Sequence, residues 1–326
     1  MGNLTIEPIK DYGLNIDVNQ HNKPMFSKIG VVGGGKDGRT IIYHAATSGM
    51  EVIFLEESKE WTDYAMTKID QFMDEKIQSW GLTQSEKKVI MNRITPTLNY
   101  DDFKGCDLVI ECTRHSEDGT RNKALRKEVF KKLENVLDED AIIATNGSTV
   151  IISELAAELT HKDRCVATYF PVAHPDARIL EISKGMYTSD EVYNRMVIFA
   201  KLINYLPHKI NESNGNVSMR IMVTMLNEAC QVLMERVCTL KEIEETFTFI
   251  YGQRMGIFEM ADKIGIGRIV MIMEEMFNDY GKVQYKPNPI LWKLYRSKQF
   301  GILIKKGFYI YDDNGKIISE NPTLFN

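Results

Sequence analysis

The sequence predicts an α/β fold in which a doubly wound, mainly parallel sheet is followed by an all-α domain. Three observations carry this. Short apolar runs alternate with longer amphipathic stretches over residues 28–213, a glycine-rich turn separates the first run from the first helical stretch, and strand signals nearly vanish after residue 213. Alternation of that kind argues for parallel strands joined by helical crossovers and covered on both faces.

Residues 1–27 mix Pro, Asn, Lys and Asp without sustained periodicity and read as an irregular arm. Order begins at Lys28. The runs IGVV (29–32), EVIFL (51–55), DLVIE (107–111), AIIAT (141–145) and CVATYF (165–170) are the expected strands. Residues 58–92, rich in Glu, Lys, Gln and Met and broken at Gly81 and Leu82, read as a helical hairpin inserted after the second strand. NESNGNVS at 211–218 is a polar linker, and residues 219–237 then place apolar side chains at helical spacing for about five turns. The expected organisation is therefore an arm at 1–27, a sheet domain at 28–213 and a helical domain at 214–326, whose many Met and Ile residues serve packing.

At 326 residues the chain has room for two cores, which excludes a small stapled scaffold. A content of 44% hydrophobic and 26% charged residues fits neither a disordered polymer nor a membrane protein. Forty Lys and Arg against 45 Asp and Glu leave a net charge of −5, without the basic excess that phosphate-backbone binding requires, so nucleic acid is not an expected partner. Cys106, Cys112, Cys165, Cys230 and Cys238 form no CxxC pair and have no His at ligand spacing, which points to reduced thiols and no metal. The start lacks the order of a signal peptide, Ile6 stands where myristoylation needs Ser or Thr, and no run reaches the roughly 18 apolar residues of a membrane span. A cytoplasmic location is expected.

Gly33, Gly35 and Gly38 spell GGGKDG directly after IGVV and at the head of the helical stretch RTIIYHAATSG. In this context the first glycine allows a tight turn, the second lets a pyrophosphate approach the backbone, and the third lets helix pack on strand. The helix N-terminus adds free N–H groups and a partial positive charge. Glu56, 18 residues beyond Gly38, ends the second strand, where a carboxylate accepts the ribose hydroxyls of an adenosine and repels a 2′-phosphate. The expected cofactor is NAD rather than NADP. The competing account is a glycine turn with a surface Glu. Lys36 and Asp37 are less usual inside such a turn, and Asp37 must point away, as a helix cap, to spare the diphosphate.

The chain resembles the 3-hydroxyacyl-CoA dehydrogenase family from about Lys28 to Tyr311. The matching stretches are KIGVVGGG, DLVIEC at 107–112, ATNGSTVIISELA at 144–156, LEISKG at 180–185, MLNEA at 225–229, MGIFEMADKIG at 255–265 and KKGFYIY at 305–311. The resemblance implies a Rossmann domain, a helical C-terminal domain with homodimer contacts, a cleft between the two, and oxidation of a 3-hydroxyl to a ketone, with a CoA thioester of fatty acid metabolism as a candidate substrate. It also implies roles: Glu181 falls on the glutamate that orients the family's histidine base, and Ser148 on the hydroxyl that contacts the substrate oxygen. The histidine's own place, 12 residues before Glu181, holds Tyr169, and the family's asparagine before Arg220 is replaced by Met219. After Glu111 the family's short Val-Glu-Asn turn becomes CTRHSEDGTRN.

A positioned general base contributes roughly 10²–10⁴-fold, so these replacements matter. A phenol with a reference pKa near 10, against about 6.5 for imidazole, needs a neighbouring cation to act as base near neutral pH. Two rescues are open: His174 turning into the cleft to meet Glu181, or Tyr169 itself with Arg178 or Lys184 beside it. The bland accounts are a solvated loop for His174 and His115 and a strand-end carboxylate for Glu181. For Ser148 the bland account is a helix cap, although Ser153 suits that job better. The leading function is an NAD-dependent oxidoreductase interconverting a 3-hydroxy or related acyl compound and its 3-oxo form. The alternatives are a catalytically silent NAD- or acyl-CoA-binding homologue and a protein whose Lys36 and Asp37 exclude nucleotide.

Overall fold

The computed structural model describes residues 25–113, 122–171 and 178–324. In chain order it has β1 (Lys28–Val32), α1 (Lys36–Thr47), β2 (Glu51–Leu55), the pair α2 (Lys59–Gln78) and α3 (Gln84–Met91), β3 (Ile94–Thr97), β4 (Leu108–Glu111), α4 (Lys123–Val136) and β5 (Ile142–Thr145). There follow α5 (Ile152–Ala156), β6 (Cys165–Tyr169), β7 (Ile179–Lys184), α6 (Asp190–Leu202) and β8 (Leu206–Asn211). The eight strands form one sheet in the order β3-β2-β1-β4-β5-β6-β7-β8, and only the β6–β7 step is antiparallel. Strand order reverses direction between β1 and β4, which opens a crevice at their carboxyl ends.

The expected strands are present to within one residue at either end, as is the helical pair after β2. Three further strands carry no strong signal in the sequence. β3 and β8 are the sheet's two edges and contain Pro96 and Pro207, residues that only an edge strand tolerates because they cannot donate to a ladder. β7 alternates apolar and polar residues, as an antiparallel step allows. Successive residues of β1 feed opposite faces: Ile29 and Val31 join the cluster around Phe54 and Phe199, and Val32 joins the one around Phe103 and Phe130. Ser58 caps α2, and Thr83 with Glu86 forms a capping box on α3, each worth about 1 kcal/mol.

Between Asn211 and Asn216 the chain leaves the sheet and enters α7 (Asn216–Met234), then α8 (Leu240–Glu245), α9 (Ile257–Ile264), α10 (Ile266–Tyr280) and α11 (Pro289–Arg296), closing with the hairpin β9 (Tyr309–Tyr311) and β10 (Ile317–Glu320). Asp262 explains why KKGFYIY follows MADKIG. Its fully buried carboxylate accepts the N–H groups of Phe308 and Tyr309 at 2.9 and 3.0 Å and the Tyr311 hydroxyl at 2.9 Å. Burial pushes its pKa up to about 6, and those donors pull against the shift. Gly307 leaves the room, since a Cβ there would lie 1.9 Å from Asp262 Oδ1.

Candidate active site

The nucleotide-type turn is built as the glycine spacing requires. Gly33 has φ of +101°, in the left-handed region, and a Cβ on Gly38 would sit 1.9 Å from the Gly33 carbonyl oxygen. Gly35 stands at the head of α1 with no side chain capping it, so the helix end presents main-chain N–H groups. Glu56 follows β2 and is buried, and one of its oxygens accepts the Gly34 N–H at 2.5 Å. The acid that the sequence assigns to a ribose pins the turn. A cradle that a Cβ would fill, an open helix head and an acid fixed beside it together fit a dinucleotide.

Asp37 is not a cap. It lies in the first turn of α1 and pairs with Arg268 of α10, Oδ2 to Nη2 at 3.2 Å, so its charge is answered across the cleft rather than left on the turn. Arg39 donates to the Gly34 carbonyl at 3.1 Å.

Tyr169, Glu181 and His208 stand in one row across the sheet, because Tyr169 is the register partner of Glu181 across β6 and β7, and Glu181 that of His208 across β7 and β8. Register partners project from the same face. That face meets α7, where Ser218 donates its N–H to Glu181 Oε1 at 2.9 Å and its hydroxyl to Oε2 at 3.1 Å. Burial pushes the Glu181 pKa up, while the Ser218 donors and the His208 charge pull it back in part. Tyr169 is buried with Met219, Val223 and Phe258 in the helical domain's core.

The two cations expected beside Tyr169 have other partners. Arg178 donates to His44 at 2.8 Å and stacks over Tyr205, and Lys184 pairs with Asp190. Both are engaged by these partners, whereas Arg268 of α10 interacts electrostatically with Tyr169. Ser148 is buried after β5, and its carbonyl accepts the Gly215 N–H at 2.8 Å, which ties the linker to the segment after β5. Neither serine caps α5. Ile151 occupies that position, and Ser153 binds Glu212 instead, through its N–H at 2.7 Å and its hydroxyl at 2.6 Å. His174 and His115 lie outside the described residues.

Beneath the crevice Glu111 is fully buried and pairs with Arg126, and Thr145 donates to its Oε2 at 2.6 Å. Its other oxygen accepts the Thr113 N–H at 2.7 Å, and Arg126 reaches the Thr113 carbonyl at 3.2 Å. This network holds the start of the lengthened loop. Sequence reasoning missed Arg126, Ser218, His208 and Arg268. Only the last had a visible signal, a single cation inside the apolar stretch GIGRIVMIM. None of the five cysteines forms a disulfide, and Cys106, Cys112, Cys165 and Cys230 are buried. Among the described residues no group of His, Cys, Asp or Glu is placed to hold a metal, and no helix is long and apolar enough to cross a membrane.

Comparison with known proteins matches residues 28–213 to the NAD-binding domain of 3-hydroxyacyl-CoA dehydrogenase and residues 215–311 to the C-terminal domain of the same family. The chain is 29% identical over 285 residues to a 3-hydroxybutyryl-CoA dehydrogenase of Clostridioides difficile, covering 87% of this chain and 99% of that protein. It is 30% identical over 284 residues to a probable 3-hydroxybutyryl-CoA dehydrogenase of Deinococcus radiodurans, covering 87% and 100%. Among solved structures, (S)-3-hydroxybutyryl-CoA dehydrogenase PaaH1 from Ralstonia eutropha superposes with a TM-score of 0.80 at 27% identity, covering 88% of this chain and all of that one. The matched domain is an NAD-binding one, and NAD is the cofactor.

Proposed function

Because the chain belongs to the 3-hydroxyacyl-CoA dehydrogenase family, we propose that it is an NAD-dependent oxidoreductase that interconverts a 3-hydroxyacyl compound and its 3-oxo form, with Tyr169 in the proton-transfer place. When bound, the nicotinamide supplies the hydride acceptor or donor. The glycine turn and the head of α1 hold the diphosphate, and Glu56 faces the adenosine ribose. Ser148 orients the substrate oxygen, Tyr169 moves the hydroxyl proton, and Glu181 fixes the sheet face that presents the phenol. A CoA thioester is the first substrate class to test, since that is what the relatives are named for. A homodimer through the helical domain and a place in the cytoplasm belong to the same proposal.

The observation that carries this reading is the pairing of Tyr169 with Glu181 in one register position facing the second domain. The test is oxidation of NADH with acetoacetyl-CoA. Tyr169→Phe is expected to lower kcat about 10²-fold, within the range for a positioned acid or base, while NADH binding stays intact. Turnover indifferent to Tyr169→Phe refutes the assignment.

Burial of Tyr169 and Met219 in one apolar cluster favours a second reading, a homologue that binds NAD without catalysis. It predicts saturable NADH binding and no hydride transfer to any 3-oxo compound.

A further inference from the structure

Arg268 enters the cleft from the first turn of α10 and is held there by Asp37 at 3.2 Å. Both side chains are less than one-fifth exposed, 16% and 18%. Each keeps a buried atom without a hydrogen-bond partner among the described residues, Arg268 Nε and Asp37 Oδ1. An unsatisfied buried charged group is costly, and it persists where a ligand completes it.

Lys36 beside this pair feels the charges of Asp37, Arg268, Arg39 and Lys263, and Lys263 also pairs with Glu259 at 2.7 Å. Arg268 also lies within electrostatic reach of Tyr169, the residue proposed above for proton transfer. A guanidinium is a planar fork that matches a carboxylate, and one of its nitrogens here is uncommitted. The phosphates of a CoA thioester lie a whole pantetheine arm from the reacting carbon. The diphosphate of the cofactor has its own seat on the main chain of the turn.

We infer that Arg268 recognises a carboxylate on the substrate, so that the site takes free 3-oxo and 3-hydroxy acids. This rests on the dehydrogenase reading above and puts a free acid in place of the CoA thioester as its substrate class. The test is calorimetry on the NADH-loaded full chain with acetoacetate, its uncharged methyl ester and acetoacetyl-CoA. Acetoacetate is expected to bind at least tenfold more tightly than the ester. Arg268→Met is expected to erase that preference while NADH affinity stays within twofold, and Arg268→Lys to retain part of it.

A wild type without the preference, or a folded Arg268→Met variant that keeps it, overturns the inference. So does an Arg268→Met variant that instead loses NADH, which hands the guanidinium to the cofactor's diphosphate. Where Arg268→Met does not fold, Arg268→Lys decides, with at least a threefold loss of preference expected and an unchanged preference refuting. Turnover of acetoacetyl-CoA with no carboxylate preference sinks this inference alone. The preference intact without hydride transfer sinks the dehydrogenase reading alone.

Discussion

Glu181, on a strand of the sheet, closes on Ser218 in the first turn of the second domain's leading helix, taking both its N–H and its hydroxyl. The folded pKa of Glu181 lies above its ordinary value. Its stabilising share is therefore complete below the unfolded value and is lost as pH rises through the folded one. Ser218→Ala removes a donor to the charged form, at a cost of about 1 kcal/mol. Urea unfolding is expected to show a larger deficit at pH 8 than at pH 5, and equal deficits would contradict this account.

His44 gives the opposite slope. Burial, then the Arg178 and Lys76 charges, hold its pKa down to about 3 from an ordinary 6.5. The unfolded chain therefore binds the extra proton, and stability falls as pH drops below about 6.5, by up to roughly 1.4 kcal/mol per unit. His44→Gln keeps an acceptor for Arg178 and is expected to flatten the curve between pH 6.5 and 4.5. An unchanged slope in urea melts would remove His44 from the acid limb.

Gly38→Ala places a methyl group 1.9 Å from the Gly33 carbonyl. The turn must open, and NADH affinity is expected to fall about a hundredfold, close to 2.7 kcal/mol. Fluorescence titration reads this directly, and wild-type affinity in the variant would mean that the dinucleotide sits elsewhere.

Gly307→Ala drives a methyl group into the Asp262 carboxylate and its three donors. A loss of at least about 2 kcal/mol is expected, in the range for disrupted buried networks. A midpoint in urea unmoved from wild type would show that the hairpin yields without cost.

The central strands were legible because β1, β2, β4, β5 and β6 are continuous apolar runs covered on both faces. Pro96 and Pro207 hid the two edges, and the antiparallel step at β7 broke the expected alternation. The glycine turn and Glu56 could be read from spacing, since that chemistry is local. What Arg126, His208 and Ser218 do depends on partners 15, 27 and 37 residues away, brought together only by register and packing. Ser153 misled because its spacing suits a helix cap, while the folded chain offers it Glu212, a partner 59 residues away.

Along α10, Arg268 meets Asp37, Glu275 meets Thr149 and Asp279 meets Asn214, at steps of seven and four residues on one side of the helix. A rod tied to the sheet domain at two points and to the linker at a third cannot swing without undoing every stitch. The two halves of this protein are thus expected to tumble as one body, and guests must slip in along the seam rather than wait for a jaw to gape.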